Sequence, residues 1–148
     1  MIDDLNKTIL KAFQKDASIT YRDLAEKIGE PASTVFSRIK QMKDAGIIRD
    51  IIPLISPEAL GKSTTGWVKI SLEIDQDCCV FADQIAKNDK IMEVHEIVGE
   101  WDIFIKVKVE NNLALHDLTK EISHLPGIKN MESMIAYKSI KEDPRIPL

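Results

Sequence analysis

The feature that most limits the fold is a change of hydrophobic period along the chain. Up to about residue 52 apolar residues recur at three- and four-residue spacing, the period of an amphipathic helix; beyond residue 66 they alternate, the period of a half-buried strand. Between the two lies "PLISPEALGKSTTG", Pro53 to Gly66, whose two prolines and two glycines read as a hinge. Two periods separated by a hinge predict two small units, and 148 residues are enough for both.

In the first part, Leu5, Ile9 and Phe13 form one stripe of a helix over residues 3–15. Thr20 with Asp23 three residues on resembles a capping box opening a second helix, which buries Leu24, Ala25 and Ile28 and ends at Gly29. Val35, Ile39 and Met42 mark a third, closed by Ala45-Gly46. "IIRDIIPLI" is rich in β-branched residues and reads as a strand that Pro53 confines to an edge or ends. Two helices joined by a tight glycine turn match a helix-turn-helix, and a trailing strand pair makes it winged. A three-helix bundle with a solvated charged face is the alternative reading of the same pattern.

In the second part, Val68, Ile70, Leu72 and Ile74 alternate with Lys69, Ser71 and Glu73. Phe81 and Ile85, with Ala82 and Ala86, suggest a helix over about 78–88, and "IMEVHEIV" a second strand. Gly99-Glu100 reads as a two-residue turn into a third strand along which Trp101, Ile103, Ile105, Val107 and Val109 alternate. Asn111 or Asn112 can cap a helix burying Leu115, Leu118, Ile122 and Leu125, and a last strand spans about 128–139. The order β-α-β-β-α-β defines an α+β, ferredoxin-like sheet with helices on one face. The uncovered face predicts a homodimer.

Composition narrows the classes. With 44% apolar and 30% charged residues the chain reads as soluble and globular. No apolar run approaches the roughly 20 residues of a membrane span, and "MIDDLNK" is unlike a secretory signal, so a cytoplasmic protein without membrane partners is expected. Cys78 and Cys79 are adjacent, which disfavours a disulfide between them. His95, His116 and His124 share no metal spacing, and no catalytic order or phosphate loop stands out. No cofactor, metal or catalytic residue is expected.

Charge is uneven. Residues 1–60 carry equal numbers of acids and bases, so the whole net charge of −4 belongs to the remainder. From Ser33 to Arg49 only Asp44 opposes Arg38, Lys40, Lys43 and Arg49. A local basic patch can meet phosphates in an acidic protein, because screening confines electrostatics to about 10 Å. With Val35, Ile39 and Met42 turned inward, the third helix offers Ser33, Thr34, Ser37, Arg38 and Gln41 outward for a major groove. Arg38 can fork onto guanine or a phosphate, and Gln41 can pair with adenine. Ser33, Thr34 and Ser37 suit phosphates or base edges. Phe36 is either core or a contact to a thymine methyl. Lys40, Lys43 and Arg49 suit phosphates, with Lys43 equally readable as merely solvated. Tyr21 and Arg22, opening the second helix, suit the DNA backbone.

The segments "DLNKTILKAFQKDASITYRDLAEKIG", "STVFSRIKQMKDAGII", "SPEALG" and "VHEIVGEWDIFIKV", in this order, resemble the leucine-responsive regulatory protein family (Lrp/AsnC, feast/famine regulators). The resemblance spans roughly 2–140. It implies a helix-turn-helix DNA-binding domain over 1–52, a linker over 53–66 and an effector-binding, oligomerising domain over 67–148. It also implies a non-enzymatic transcription factor on double-stranded DNA, homodimers assembling into higher oligomers such as octamers, and a small-molecule effector, typically an amino acid, bound between dimers. The effector loop it points to is Gly99, Glu100, Trp101 and Asp102, completed across the interface by Met131, Glu132, Ser133 and Met134. A glycine hairpin exposes backbone groups to a zwitterion, and Asp102 can meet its ammonium. The same turn serves any hairpin, Asp102 can instead pair with a lysine, and Trp101 can be core or interface. The chain departs from the family pattern at Glu30-Pro31, where a hydrophobic residue and a capping serine are usual. Two alternatives share this layout: a sirohaem decarboxylase-type enzyme, and a ligand-sensing module that has lost DNA binding.

Overall fold

A computed structural model describes residues 2–148, which divide into two compact units. One holds the chain up to Leu54 together with Asp143–Leu148; the other is Ile55–Glu142. The last six residues, assigned from sequence to the second domain, thus cluster with the first unit, where Gln14 and the backbone of Ile146 exchange hydrogen bonds of 3.0 and 2.8 Å.

The first unit is three helices, α1 (Asp4–Lys15), α2 (Tyr21–Ile28) and α3 (Ala32–Asp44). Asp3 caps α1 by accepting from the Asn6 N–H at 2.8 Å, and Thr20 caps α2 by accepting from Asp23 N–H at 3.1 Å. Gly29 closes α2, and the N–H of Glu30 returns to the carbonyl of Ala25. Ile9, Phe13, Leu24, Ala25, Val35, Ile39 and Met42 form the core, the set the helical stripes predict. Asn6 is also buried, and its Oδ1 has no hydrogen-bond partner among the described residues.

Residues 47–55 form no strand, contrary to the reading of "IIRDIIPLI". Ile47 and Ile48 donate to the carbonyl of Met42 at the end of α3, and Ile51, Ile52, Leu54 and Ile55 lie exposed outside any regular element. β-Branched composition favours extended backbone, but a strand exists only where a ladder partner is present.

The second unit is one antiparallel sheet of β1 (Thr64–Leu72), β2 (Ile91–Glu96), β3 (Ile103–Val109) and β4 (Ile128–Ile135), ordered β2-β3-β1-β4. Helices α4 (Cys78–Ile85) and α5 (Asn112–Ser123) complete the expected β-α-β-β-α-β order. Val68 and Ile70 of β1 and Ile103, Ile105 and Val107 of β3 are fully buried, packed with Phe81, Ile85, Leu115, Leu118 and Ile122 of the helices. Of the two asparagines proposed as caps, it is Asn111 that caps α5, accepting from Ala114 N–H at 3.0 Å.

The inner strand β1 packs tightly under α5 at Gly66. A Cβ there would stand 2.9 Å from Leu115 Cδ1 and 3.2 Å from Val107 Cγ2, so only a residue without one fits unshifted. Gly66→Val therefore overpacks this layer and lowers unfolding stability by about 1–3 kcal/mol. Chemical denaturation followed by far-UV circular dichroism measures it; an unchanged midpoint would mean that α5 moves aside freely.

Candidate DNA-reading helix and effector loop

Helix α3 follows directly on the turn after α2, and its N-cap is Pro31, which makes no side-chain capping bond. The Pro31 carbonyl instead accepts from Thr34 N–H at 3.0 Å and Val35 N–H at 3.1 Å. The residue supplies a pre-set φ but no oxygen for the first-turn donors.

Burial of Val35, Ile39 and Met42 turns one stripe outward: Ser33, Phe36, Ser37, Lys40, Gln41 and Lys43 are all exposed, with Asp44 at its end. Arg22 and Arg49 are exposed as well. Phe36 is 55% exposed, so it is not core. Its ring stands 5.9 Å from that of Tyr21 at the start of α2, and Tyr21 in turn lies 6.2 Å from Phe13. An aromatic row thus runs from the core to the outward stripe and anchors Phe36 at its base.

Thr34 and Arg38 lie elsewhere. One helical turn apart, both are half-buried on the flank of α3. Arg38 Nη1 donates to Asp3 Oδ2 at 2.7 Å, so the residue expected to reach outward is tied to the start of α1. The sequence reading missed Asp3 because the two residues are 35 positions apart.

In the second unit the hairpin between β2 and β3 is longer than the two-residue turn expected at Gly99-Glu100. β2 stops at Glu96 and β3 starts at Ile103, leaving residues 97–102 as a loop closed by the Ile97 N–H to the Asp102 carbonyl at 2.9 Å. Gly99 adopts φ 150°, a conformation that side chains disfavour; beside it Val98 is fully in solvent and Glu100 is exposed. The loop is fixed at its far end by Asp102. Its backbone N–H donates to the Ile70 carbonyl at 3.0 Å, and its Oδ2 accepts from Leu72 N–H at 2.7 Å. Asp102 therefore neither stands free nor pairs with a lysine; its side chain continues the β1–β3 ladder by one bond.

The expected effector residues do not come together in one place. Asp102 lines an open cleft of about 590 Å³ with Leu72, Glu73, Ile74, Gln76, Cys78 and Lys129. Burial, and then the carboxylates of Glu96, Asp102 and Asp77, push the Cys78 thiol pKa up, so it stays protonated there. Trp101 and Glu132 meet on the uncovered sheet face through Lys69, whose ammonium is 4.8 Å from the Trp101 ring centre and 2.9 Å from Glu132. Met134 is level with Trp67 on that face, Met131 packs into the helix-side core, and Ser133 pairs with Val68. Lys69, Gln76 and Lys129 were not foreseen. For Lys69 the signal was its outward place between Val68 and Ile70.

A basic, outward-facing second helix of a helix-turn-helix, joined to a ferredoxin-like unit with a polar cleft, defines a two-domain DNA-binding regulator. Residues 2–49 match the winged helix-turn-helix DNA-binding family and residues 65–146 the Lrp/AsnC ligand-binding domain. The chain is 31% identical over 147 residues to the HTH-type transcriptional regulator FL11 of Pyrococcus abyssi, covering 99% of this chain and 97% of that one. It superposes on AsnC of Escherichia coli with a TM-score of 0.88 at 29% identity, covering 96% of each chain. It superposes on a Neisseria meningitidis transcriptional regulator solved with L-methionine at 0.91, with 24% identity and coverage of 99% and 97%, a likeness of fold. The chain belongs to the Lrp/AsnC family of transcriptional regulators. Its relatives are regulators, which sets aside the decarboxylase alternative.

The Asp3 carboxyl is held below its ordinary value of 3.8, chiefly by the Asn6 N–H and then by Arg38, against some desolvation. A depressed folded-state pKa adds stability above the unfolded value, and that stability is lost as pH falls through the folded value. Thermal unfolding should therefore show a component of acid sensitivity below the ordinary aspartate range that Asp3→Asn removes. An identical pH profile for the variant would show that the pair adds nothing to stability.

Proposed function

We propose that this regulator reads specific DNA sequences through the outward stripe of α3 and responds to an amino acid or similar zwitterion held in its second unit. The observation that carries the DNA reading is the grouping of Ser33, Phe36, Ser37, Lys40 and Gln41 on one exposed face while the opposite face is buried. An α-helix fills the major groove, and short hydroxyls, an amide and an apolar ring are the side chains that distinguish base edges there. Lys40, Lys43 and Arg49 supply phosphate contacts, with Arg22 and Tyr21 at the start of α2.

The effector reading is supported by charges of both signs around the cleft. Asp102 and Glu73 can meet an ammonium, and Lys129 a carboxylate. Asp102 Oδ2 is engaged by Leu72, which orients the carboxylate rather than leaving it loose. Gly99, Glu100 and the Lys69-bridged pair of Trp101 and Glu132 lie outside the cleft lining, and a second copy of the chain is the natural means of joining them to a site. Methionine in the Neisseria regulator supports an amino acid as the ligand class.

Assembly follows from the sheet. Its uncovered face carries Trp67, Phe104 and Met134 among charges already paired within the chain: Lys69 with Glu132, Lys106 with Glu93 at 3.1 Å, and Lys108 with Glu142. Paired charges and half-buried apolar groups suit a homodimer interface, from which higher oligomers such as octamers build. A cytoplasmic location is part of the same reading.

Two measurements test the reading. In gel shifts at two salt concentrations, Lys40→Ala should weaken binding to all duplexes and reduce the salt slope by about 0.9. Gln41→Ala should cost about 1–3 kcal/mol on the preferred sequence and little on others. Loss of binding without any change in sequence preference for Gln41→Ala would remove the base-reading role. In calorimetry against the common amino acids, one should give heat, and Lys129→Ala should weaken it on the order of tenfold. No heat from any of them would retire the zwitterion.

A further inference from the structure

The acidic start of the chain reaches the basic helix at one point. Asp3 divides its carboxylate between two tasks: Oδ1 accepts from the Asn6 N–H at 2.8 Å, capping α1, and Oδ2 accepts from Arg38 Nη1 at 2.7 Å. An aspartate already fixed as a helix cap is not a mobile counter-ion, because leaving Arg38 would mean leaving α1 uncapped. Arg38 is thereby given a stationary partner. Its side chain is 34% exposed, on the flank it shares with Thr34 rather than among Ser33, Ser37 and Gln41. Among the described residues one guanidinium nitrogen is used, and the guanidinium has five N–H donors in all, so an edge remains for a further acceptor.

We propose that Asp3 is a positioning residue for DNA binding: it holds Arg38 on the flank of α3 so that the remaining guanidinium edge grips a DNA phosphate. Arg38 then contributes affinity and orientation but no base preference, the opposite of the guanine contact its place in the basic helix suggests. This rests on the DNA reading above. The geometry favours the phosphate because a side chain tied back toward α1 stands at the border of the outward stripe, where a groove-bound helix faces the sugar-phosphate wall rather than the base edges. A planar fork held at one nitrogen also presents its others in a set direction, which suits phosphate oxygens.

The test separates positioning from plain electrostatics. Asn is as good a helix cap as Asp, so Asp3→Asn keeps the α1 cap and removes the charge that holds Arg38. Electrostatics alone expects this variant to bind DNA more tightly, since an anion near phosphates is gone; positioning expects it to bind several-fold more weakly. Affinities of wild type, Asp3→Asn, Arg38→Ala, Arg38→Lys and the double variant Asp3→Asn/Arg38→Ala are measured on two duplexes. One is selected by the wild type from a random pool; the other is its scrambled counterpart. Far-UV circular dichroism first verifies that each variant is folded.

Arg38→Ala should lose on the order of tenfold on both duplexes, leaving their affinity ratio unchanged. Arg38→Lys should not restore it, and Asp3→Asn should add nothing in the Arg38→Ala background. Tighter binding by Asp3→Asn overturns the proposal. So does an Arg38→Ala loss confined to the selected duplex, which makes Arg38 a base reader. So too does unchanged binding by folded variants, which makes the pair purely structural. Failure of the wild type to bind any duplex at low salt retires the DNA reading itself, and is distinct from all of these.

Discussion

The pairing of β1 with both β3 and β4 is the constraint on which the second unit depends. β1 is an inner strand, so its residues Gly66 to Ile70 must satisfy two ladders and two faces at once. Val68 and Ile70 drive the helix side, and Gly66 lets α5 close over the strand. Where β1 runs out, Asp102 supplies its carboxylate to Leu72 N–H in place of another strand residue. Together with the Asp102 N–H to the Ile70 carbonyl, that bond fixes the far end of the 97–102 loop, so the loop inherits its position from β1.

The first unit works by a different constraint. Three short helices have little surface to bury, and their shared core is small. Two devices add to that core: the Asp3–Arg38 bond between the start of α1 and α3, and the aromatic row from Phe13 through Tyr21 to Phe36. Each ends on α3, the helix that must be presented in a fixed orientation to be of use.

The architecture was legible because each element carries its period openly. Val35, Ile39 and Met42 mark the buried face of α3, and Val68, Ile70, Ile103, Ile105 and Val107 alternate along the two central strands, as burial bears out. What the pattern could not carry was any interaction between residues distant in sequence. Nothing local links Asp102 to Leu72, 30 positions away, or Asp3 to Arg38, so the loop was read as too short and Arg38 as outward. The segment 47–55 was misread for a related reason. Its composition favours extended backbone, while strand formation depends on a partner that composition does not name. Of the candidate site, the outward stripe of α3 was legible, and the division of the effector residues between a cleft and the Lys69 cluster was not.

The grouping of Asp143–Leu148 with the first unit makes the second, in topological terms, an insertion into the first. Gln14 of α1 and the backbone of Ile146 meet across 132 positions of chain. Closing so long a loop costs chain entropy, and the cost is smaller once the sheet between its ends is already compact. Folding of the sheet therefore lowers the entropy that the helical unit must give up to gather its two segments.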